Sequence, residues 1–350
     1  MLKCLLVFIP VTMLLELFAP ERHSWIFITA AVAIIPLAGW LGYATEELAS
    51  RCGEGIGGLL NATFGNAAEL IIALAALHQG LYEVVKASIV GSILGNLLLV
   101  MGAAMMVGGL KFAAQRFNAT AARSQNSMMT LAVVSLMIPA GYHASLKSPA
   151  EISEVYLAVA ISLVLLVCYG LNLVFALITH THLFAGIQEG PIDDHSSWSL
   201  QRAILALAGT TGLIALMSEI LVTALTPATQ ELGLNSTFVG LFVVAIAGNA
   251  AEHSTAIVAA RKNRMDLTLG IAIGSSVQMA LFVAPLLILA SMFIGPGPMD
   301  MAFNPGLVLF VFLAMLITFQ VTGDGESNWL EGVQLLAVYL ILAVVTFLGG

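Results

Sequence analysis

Five letters, Gly65-Asn66-Ala67-Ala68-Glu69, recur unchanged 183 positions later as Gly248-Asn249-Ala250-Ala251-Glu252, and each copy lies inside a long apolar run. Glu69 is followed by Leu-Ile-Ile-Ala-Leu-Ala-Ala-Leu, and the second copy is preceded by Val-Gly-Leu-Phe-Val-Val-Ala-Ile-Ala. Only 9% of the 350 residues are charged and 59% are hydrophobic, where a soluble domain carries about 25% charged residues. Most of the chain therefore faces lipid or itself, and a carboxylate at the bilayer centre costs about 2.5–3.5 kcal/mol even on insertion scales. A chain that keeps the same acid twice, at equivalent places in a repeat, is held to a fold in which both acids have a use. The same offset carries Gly91-Ser92 onto Gly274-Ser275, and upstream Thr45-Glu46 is echoed by Ser218-Glu219 before a longer loop.

Apolar segments of about 20 residues read as transmembrane helices. Eleven can be marked: 4–19, 24–46, 57–79, 84–109, 127–144, 151–178, 200–226, 234–260, 267–295, 304–322 and 329–349. Basic residues test the count. With alternate crossings, Lys3, Arg51, Lys111, Arg116, Arg123, Arg202, Arg261, Lys262 and Arg264 fall on the N-terminal side, and Arg22, Lys86 and Lys147 on the other. Nine against three is a firm positive-inside bias, so the N-terminus and the loops after segments 4, 6 and 8 are expected in the cytoplasm and the C-terminus outside. Trp25, Trp198 and Trp329 stand at segment starts, where amphipathic rings favour the interface.

Segments 2–6 and 7–11 make two units of five, and an odd number of crossings sends the second copy in from the opposite face. The expected fold is an all-α integral membrane protein of 11 transmembrane helices. It has a first helix (1–20), repeat 1 (24–180), a cytoplasmic acidic linker (181–199) and an inverted repeat 2 (200–350). Many secondary transporters are built this way, with the site at the repeat interface near the midplane.

Other classes are disfavoured. Cys4, Cys52 and Cys168 are scattered without a CxxC pair, which argues against a disulfide framework or a zinc site. Residues 1–20 begin like a signal peptide, but Pro10 and Glu16 interrupt the run and no A-x-A-like site follows, so a retained helix is expected. There is no intramembrane HExxH, no pair of catalytic aspartates and no Gly-x-Ser-x-Gly, so an enzyme is not expected. No cofactor and no nucleic-acid partner are called for; the lipid bilayer is an expected partner, with a homo-oligomer left open.

Two hard carboxylates meeting across a pseudo-two-fold axis suit a hard divalent cation, and Ca²⁺ takes 6–8 oxygens from carboxylates, carbonyls and water. Without metal, desolvation and mutual repulsion favour the protonated acids, so cation and protons compete for Glu69 and Glu252. The alternative is a protonated glutamate serving as packing glue between helices. Asn66 and Asn249, three residues before each acid, share its helix face. With Asn96 in segment 4 and Gln278 in segment 9 they complete the candidate metal-ligand set, inter-helix hydrogen bonding being the competing role for each amide.

Glu46 and Glu219, near the ends of segments 2 and 7, are candidate proton or vestibule acids or else solvated; Glu47 is expected to be solvated. Gly91 with Gly95, and Gly270 with Gly274, are small pairs four apart that permit close helix approach. His180 and His182 are expected at the interface, and His253 as a hydrogen-bonded helix contact. Residues 324–332 are expected to form a turn with helix-capping acids, and Glu189, Asp193, Asp194 and His195 a solvated linker.

At the doubled motif the chain resembles the Ca²⁺/H⁺ exchangers of the CAX family, within the cation/calcium exchanger superfamily. The likeness covers essentially the whole chain: Gly57-Gly58-Leu59-Leu60-Asn61-Ala62-Thr63-Phe64 leading into the first motif, Gly91-Ser92-Ile93-Leu94-Gly95-Asn96, the second motif, and Ser327-Asn328-Trp329. The resemblance implies one helix before two five-helix repeats, a place in the cell membrane, and Ca²⁺ extrusion from the cytosol driven by inward protons. It also implies that Glu69 and Glu252 are the central ligands and proton carriers. The related Na⁺/Ca²⁺ exchangers carry Gly-Ser-Ser-x-Pro-Glu and Gly-Thr-Ser-x-Pro-Asp motifs, whose prolines and hydroxyls are missing here, which disfavours sodium. A Na⁺-coupled Ca²⁺ exchanger and a cation channel are the alternatives.

Overall fold

The computed structural model describes residues 2–145, 151–184 and 198–349. Lys147 and the acidic residues Glu189, Asp193 and Asp194, with His195, lie outside that range, and with them most of the expected linker. Twelve helices follow: α1 (Cys4–Phe18), α2 (His23–Ala49), α3 (Gly53–Phe64), α4 (Ala67–His78), α5 (Tyr82–Gly109), α6 (Ala119–Ser145), α7 (Glu154–Thr179), α8 (Leu200–Leu232), α9 (Ser236–Arg261), α10 (Met265–Ala290), α11 (Pro305–Val321) and α12 (Trp329–Leu348). Seven of these, α2, α5, α7, α8, α9, α10 and α12, are long and apolar enough to cross a membrane, and α1, α4 and α11 are shorter apolar helices.

Several boundaries differ from the hydropathy pattern for local reasons. The helix expected over 127–144 begins at Ala119, because Asn118 Oδ1 accepts from the N–H groups of Thr120 and Ala121 and caps a polar first turn. α8 runs past 226, through Pro227, to Gly233, whose φ of 65° gives a left-handed C-cap. The segment expected over 57–79 is two half-helices: α3 ends at Phe64 with Gly65 as its C-cap, and Asn66, at φ −99° and ψ 25°, is the N-cap of α4.

Four π-helical turns interrupt the helices: Gly95–Val100 in α5, Phe175–Thr179 in α7, Val239–Val244 in α9 and Met279–Val283 in α10. The repeat offset of 183 carries Val100 onto Val283, so the turns in α5 and α10 are repeat equivalents. An inserted turn of this kind frees backbone groups and is often found at functional sites.

The contacts divide the chain into two compact units that each draw on both repeats. Unit 1 comprises 1–88, 191–252 and 346–350; unit 2 comprises 89–190 and 253–345. In unit 1, α2 packs lengthwise on α8, and α4 also packs on α8. In unit 2, α10 packs on α5, α6 and α7, and α11 packs on α6.

At one end of unit 2, strand β1 (Gln115–Arg116) pairs antiparallel with strand β2 (Glu326–Ser327). Gln115 Nε2 donates to Ala260 O at 2.8 Å and to Asn263 Oδ1 at 3.0 Å, and Asn118 N donates to Asp266 Oδ1 at 2.7 Å. The loops after segments 4, 8 and 10 thus meet. The tightest helix approach is not at the expected glycines: a Cβ at Gly102 would stand 2.9 Å from Gly332 O, and one at Gly109 would stand 2.3 Å from Trp329 N. Gly95 and Gly274 make only ordinary contacts, at 4.0 and 3.8 Å.

Candidate ion-binding site

Both motif acids belong to unit 1. Glu69 lies in the first turn of α4, just past the break at Asn66, and is 6% exposed. Neither of its carboxylate oxygens has a hydrogen-bond partner on another described residue. Glu252 is half-buried in the continuous helix α9.

The glycines show why the motif is doubled. A Cβ on Gly248 would stand 2.9 Å from Glu69 Cγ and 3.2 Å from its Cδ, and a Cβ on Gly65 would stand 3.1 Å from Glu252 Oε1. Each glycine therefore makes room for the glutamate of the other motif. The arrangement is reciprocal between the two copies of the motif.

The amides flank the acids unevenly. Asn66 and Asn249 are each 1% exposed. Asn249 Nδ2 donates to Ala245 O at 2.8 Å, one turn back, which leaves its Oδ1 as the acceptor of the pair. Asn249 shares the face of Glu252 as expected, whereas Asn66 is the N-cap residue of α4, not a helical neighbour of Glu69.

Asn96 and Gln278 belong to unit 2 and sit at the repeat-equivalent π turns, Asn96 within one and Gln278 directly before the other. Asn96 Nδ2 donates to Ser275 Oγ at 3.1 Å. Asn96 Oδ1 and Gln278 Nε2 are buried without a partner among the described residues. Asn96 already presents an amide oxygen, and Gln278 presents one after a half-turn about its last bond.

Glu46 and Glu219 are exposed. Glu219 Oε1 accepts from Gln79 Nε2 at 3.2 Å, and Gln79 also reaches Thr223 Oγ1 at 2.9 Å. Gln79 had no signal in the letters beyond lying at a segment end. Glu47 is not solvated: it is 8% exposed, and its Oε2 accepts from Trp198 N at 3.4 Å. Trp198 is likewise buried, at 6% exposed, while Trp25 and Trp329 present their rings outward as expected.

His253 Nε2 has no hydrogen-bond partner among the described residues, and a Cβ on Gly95 would stand 4.0 Å from it. His180 stacks on Phe175 with ring centres 4.0 Å apart and reaches Thr179 Oγ1 at 2.8 Å. Residues 324–332 form the expected capped turn: Asp324 Oδ1 accepts from Glu326 N, Glu331 Oε2 accepts from Asn328 N, and Glu326 pairs with Arg116 at 2.9 Å. Among the described residues no three His, Cys, Asp or Glu side chains gather as a metal cluster. At the motif the described side chains with oxygens to offer are the carboxylates of Glu69 and Glu252 and the amides of Asn66 and Asn249.

Several known proteins resemble this chain over nearly its whole length. A protein of Aphanothece halophytica named a Ca²⁺/H⁺ antiporter is 44% identical over 359 aligned residues, covering 98% of this chain and 95% of the relative. One of Bacillus subtilis with the same name is 41% identical and covers 92% of each. The solved structure of native YfkE superposes with a TM-score of 0.85 at 38% identity, over 99% of this chain and 100% of that one. The family pattern described as sodium/calcium exchanger protein matches residues 23–178 and 202–348, and the chain belongs to that family, among its Ca²⁺/H⁺ exchanger relatives.

Proposed function

We propose that this chain is a secondary antiporter that exports Ca²⁺ from the cytosol in exchange for H⁺, by competition of the two at Glu69 and Glu252. The observation that carries the reading is the reciprocal packing of Gly65 on Glu252 and Gly248 on Glu69, which brings two acids together in a chain with little other intramembrane charge. Relatives named Ca²⁺/H⁺ antiporters at 41–44% identity support the choice of ions.

Two carboxylates neutralise one Ca²⁺ or two protons, and either loaded state crosses the low-dielectric interior at far lower cost than the bare pair of anions. Antiport follows when the loaded states change faces and the empty, charged state does not. Asn66, Asn249, Asn96 and Gln278 are the further oxygen donors in this reading, and Glu46 and Glu219 the vestibule acids. Eleven crossings with a cytoplasmic N-terminus and an external C-terminus fit the distribution of lysine and arginine.

Inverted membrane vesicles carrying the protein are expected to take up ⁴⁵Ca²⁺ under an imposed inside-acid ΔpH. Nigericin with potassium, which collapses ΔpH, stops that uptake, and a Na⁺ gradient alone does not drive it. Glu69→Gln and Glu252→Gln each abolish uptake while the protein still reaches the membrane. Transport retained in either variant defeats the two-carboxylate site. Uptake driven by sodium makes this a Na⁺/Ca²⁺ exchanger, and flux indifferent to ΔpH makes it a channel.

A further inference from the structure

Trp40, Tyr43, Ala44 and Glu47 fall at i, i+3, i+4 and i+7 and so on one face of the last turns of α2, and Arg51 follows two residues past the helix end at Ala49. That stripe closes on Trp198, two residues before α8. The Trp198 ring stacks on Trp40 with centroids 5.9 Å apart and meets Tyr43 edge-on at 5.1 Å. Arg202, in the first turn of α8, lays its guanidinium 4.6 Å from the centre of the same ring. The backbone of Trp198 is held as well: its N–H donates to Glu47 Oε2 at 3.4 Å, and its carbonyl accepts from Arg51 Nη2. Ala44, Trp198 and Ala203 form a small apolar core beneath, with Trp40, Ala206 and Leu207 against it. Every one of these residues belongs to unit 1.

An apolar staple needs no buried acid, because a carboxylate taken from water costs free energy even when hydrogen-bonded. What Glu47 and Arg51 add is direction. Bonds from both of them to the N–H and the carbonyl of one residue, Trp198, fix how far the end of α2 is rotated about its own axis, which the aromatic stack alone leaves loose. Rotation matters for the next residue: Glu46 is about 100° around the helix from Glu47, and it is exposed.

We propose that Glu47, Arg51 and Trp198 form a positioning latch that sets the rotation of the last turn of α2 and so aims Glu46 at arriving Ca²⁺. This rests on the exchanger reading above. The latch touches no ion, and its effect passes through Glu46.

The test uses initial ⁴⁵Ca²⁺ uptake into inverted vesicles under fixed ΔpH, measured across Ca²⁺ concentrations. Arg51→Gln and Trp198→Ala break the latch, and Arg51→Lys keeps a donor. The KM for Ca²⁺ is expected to rise about threefold or more in the two breaking variants, with the maximal rate within about twofold of wild type and KM restored in Arg51→Lys. In a Glu46→Gln background the same two substitutions are expected to add nothing.

Unchanged KM, a fall in maximal rate alone, or a KM rise undiminished in Glu46→Gln overturns the latch. Should Trp198→Ala fail to reach the membrane, Arg51→Gln, at an exposed residue, decides by itself. Wild-type vesicles in the same assay keep the two ideas apart. No ΔpH-driven uptake by wild type defeats the exchanger reading and the latch with it, whereas normal wild-type uptake with a silent Arg51→Gln defeats the latch alone.

Discussion

Replacing Gly248 by alanine places a methyl carbon 2.9 Å from Cγ, 3.2 Å from Cδ and 3.4 Å from Oε1 of Glu69. Carbon atoms settle at about 3.5–4.0 Å, so the contact must open by about 0.6 Å at the least. All three atoms belong to the Glu69 side chain, and it is the carboxylate arm that moves. Overpacking of this kind costs about 1–3 kcal/mol, while alanine for glycine inside a helix returns about 1 kcal/mol. Folding is therefore expected to change little, since the two effects oppose each other. Nothing offsets the displaced ligand. A strain of about 1–3 kcal/mol that falls on the Ca²⁺-loaded site raises KM about 5- to 150-fold.

The assay is ⁴⁵Ca²⁺ uptake under ΔpH, paired with a thermal melt of the purified protein. Gly42→Ala in α2, where a Cβ meets nothing within 4 Å, is the matched control and is expected to transport normally. Gly65→Ala is a less clean probe, because its Cβ meets Asn61 O at 2.9 Å as well as Glu252 Oε1 at 3.1 Å. A folded Gly248→Ala protein with the wild-type KM would show that Glu69 does not stand beside Gly248 in the transporting molecule.

Competition predicts the sign of the pH effect: acidifying the Ca²⁺ side raises KM. A plot of log KM against pH should fall with a slope of about −1 to −2, according to whether one or two protons must leave, and a flat plot excludes shared oxygens. Gly109→Ala drives a Cβ to 2.3 Å from Trp329 N and 2.7 Å from its Cα, backbone atoms that cannot swing aside. The expected result is loss of about 3 kcal/mol or more, seen as aggregation on size exclusion, and a monodisperse variant with normal Tm refutes the close crossing of α5 and α12. Arg116→Ala, by contrast, breaks a pair whose side chains are 84% and 47% exposed. It should cost less than about 1 kcal/mol, and a Tm drop of many degrees would mean that the β1–β2 ladder depends on the pair.

The repeat was legible because the same five letters recur around Glu69 and Glu252 at a fixed offset of 183. Who packs on whom was not legible. Gly65 and Glu69 share a motif, yet the glycine serves Glu252, a cross between segments that no local pattern encodes. Glu47 read as solvated because it ends an apolar run; its burial comes from Trp198, 151 residues later. The start of α6 escaped hydropathy because a cap at Asn118, not an apolar residue, sets it.

Identity of sequence also failed to give identity of structure. The same five letters start a half-helix at Asn66 and pass through the middle of α9 at Asn249. Propensity within the motif is equal by construction, so the packing around each copy decides. The consequence is an electrical difference between two acids with one sequence. Glu69 sits in the first turn of α4, where unsatisfied N–H groups present a partial positive charge that acts over about one turn. Glu252 lies well inside α9, beyond reach of such an end. Glu69→Gln and Glu252→Gln are therefore unequal perturbations, and a difference between their residual activities measures the environments, not the letters.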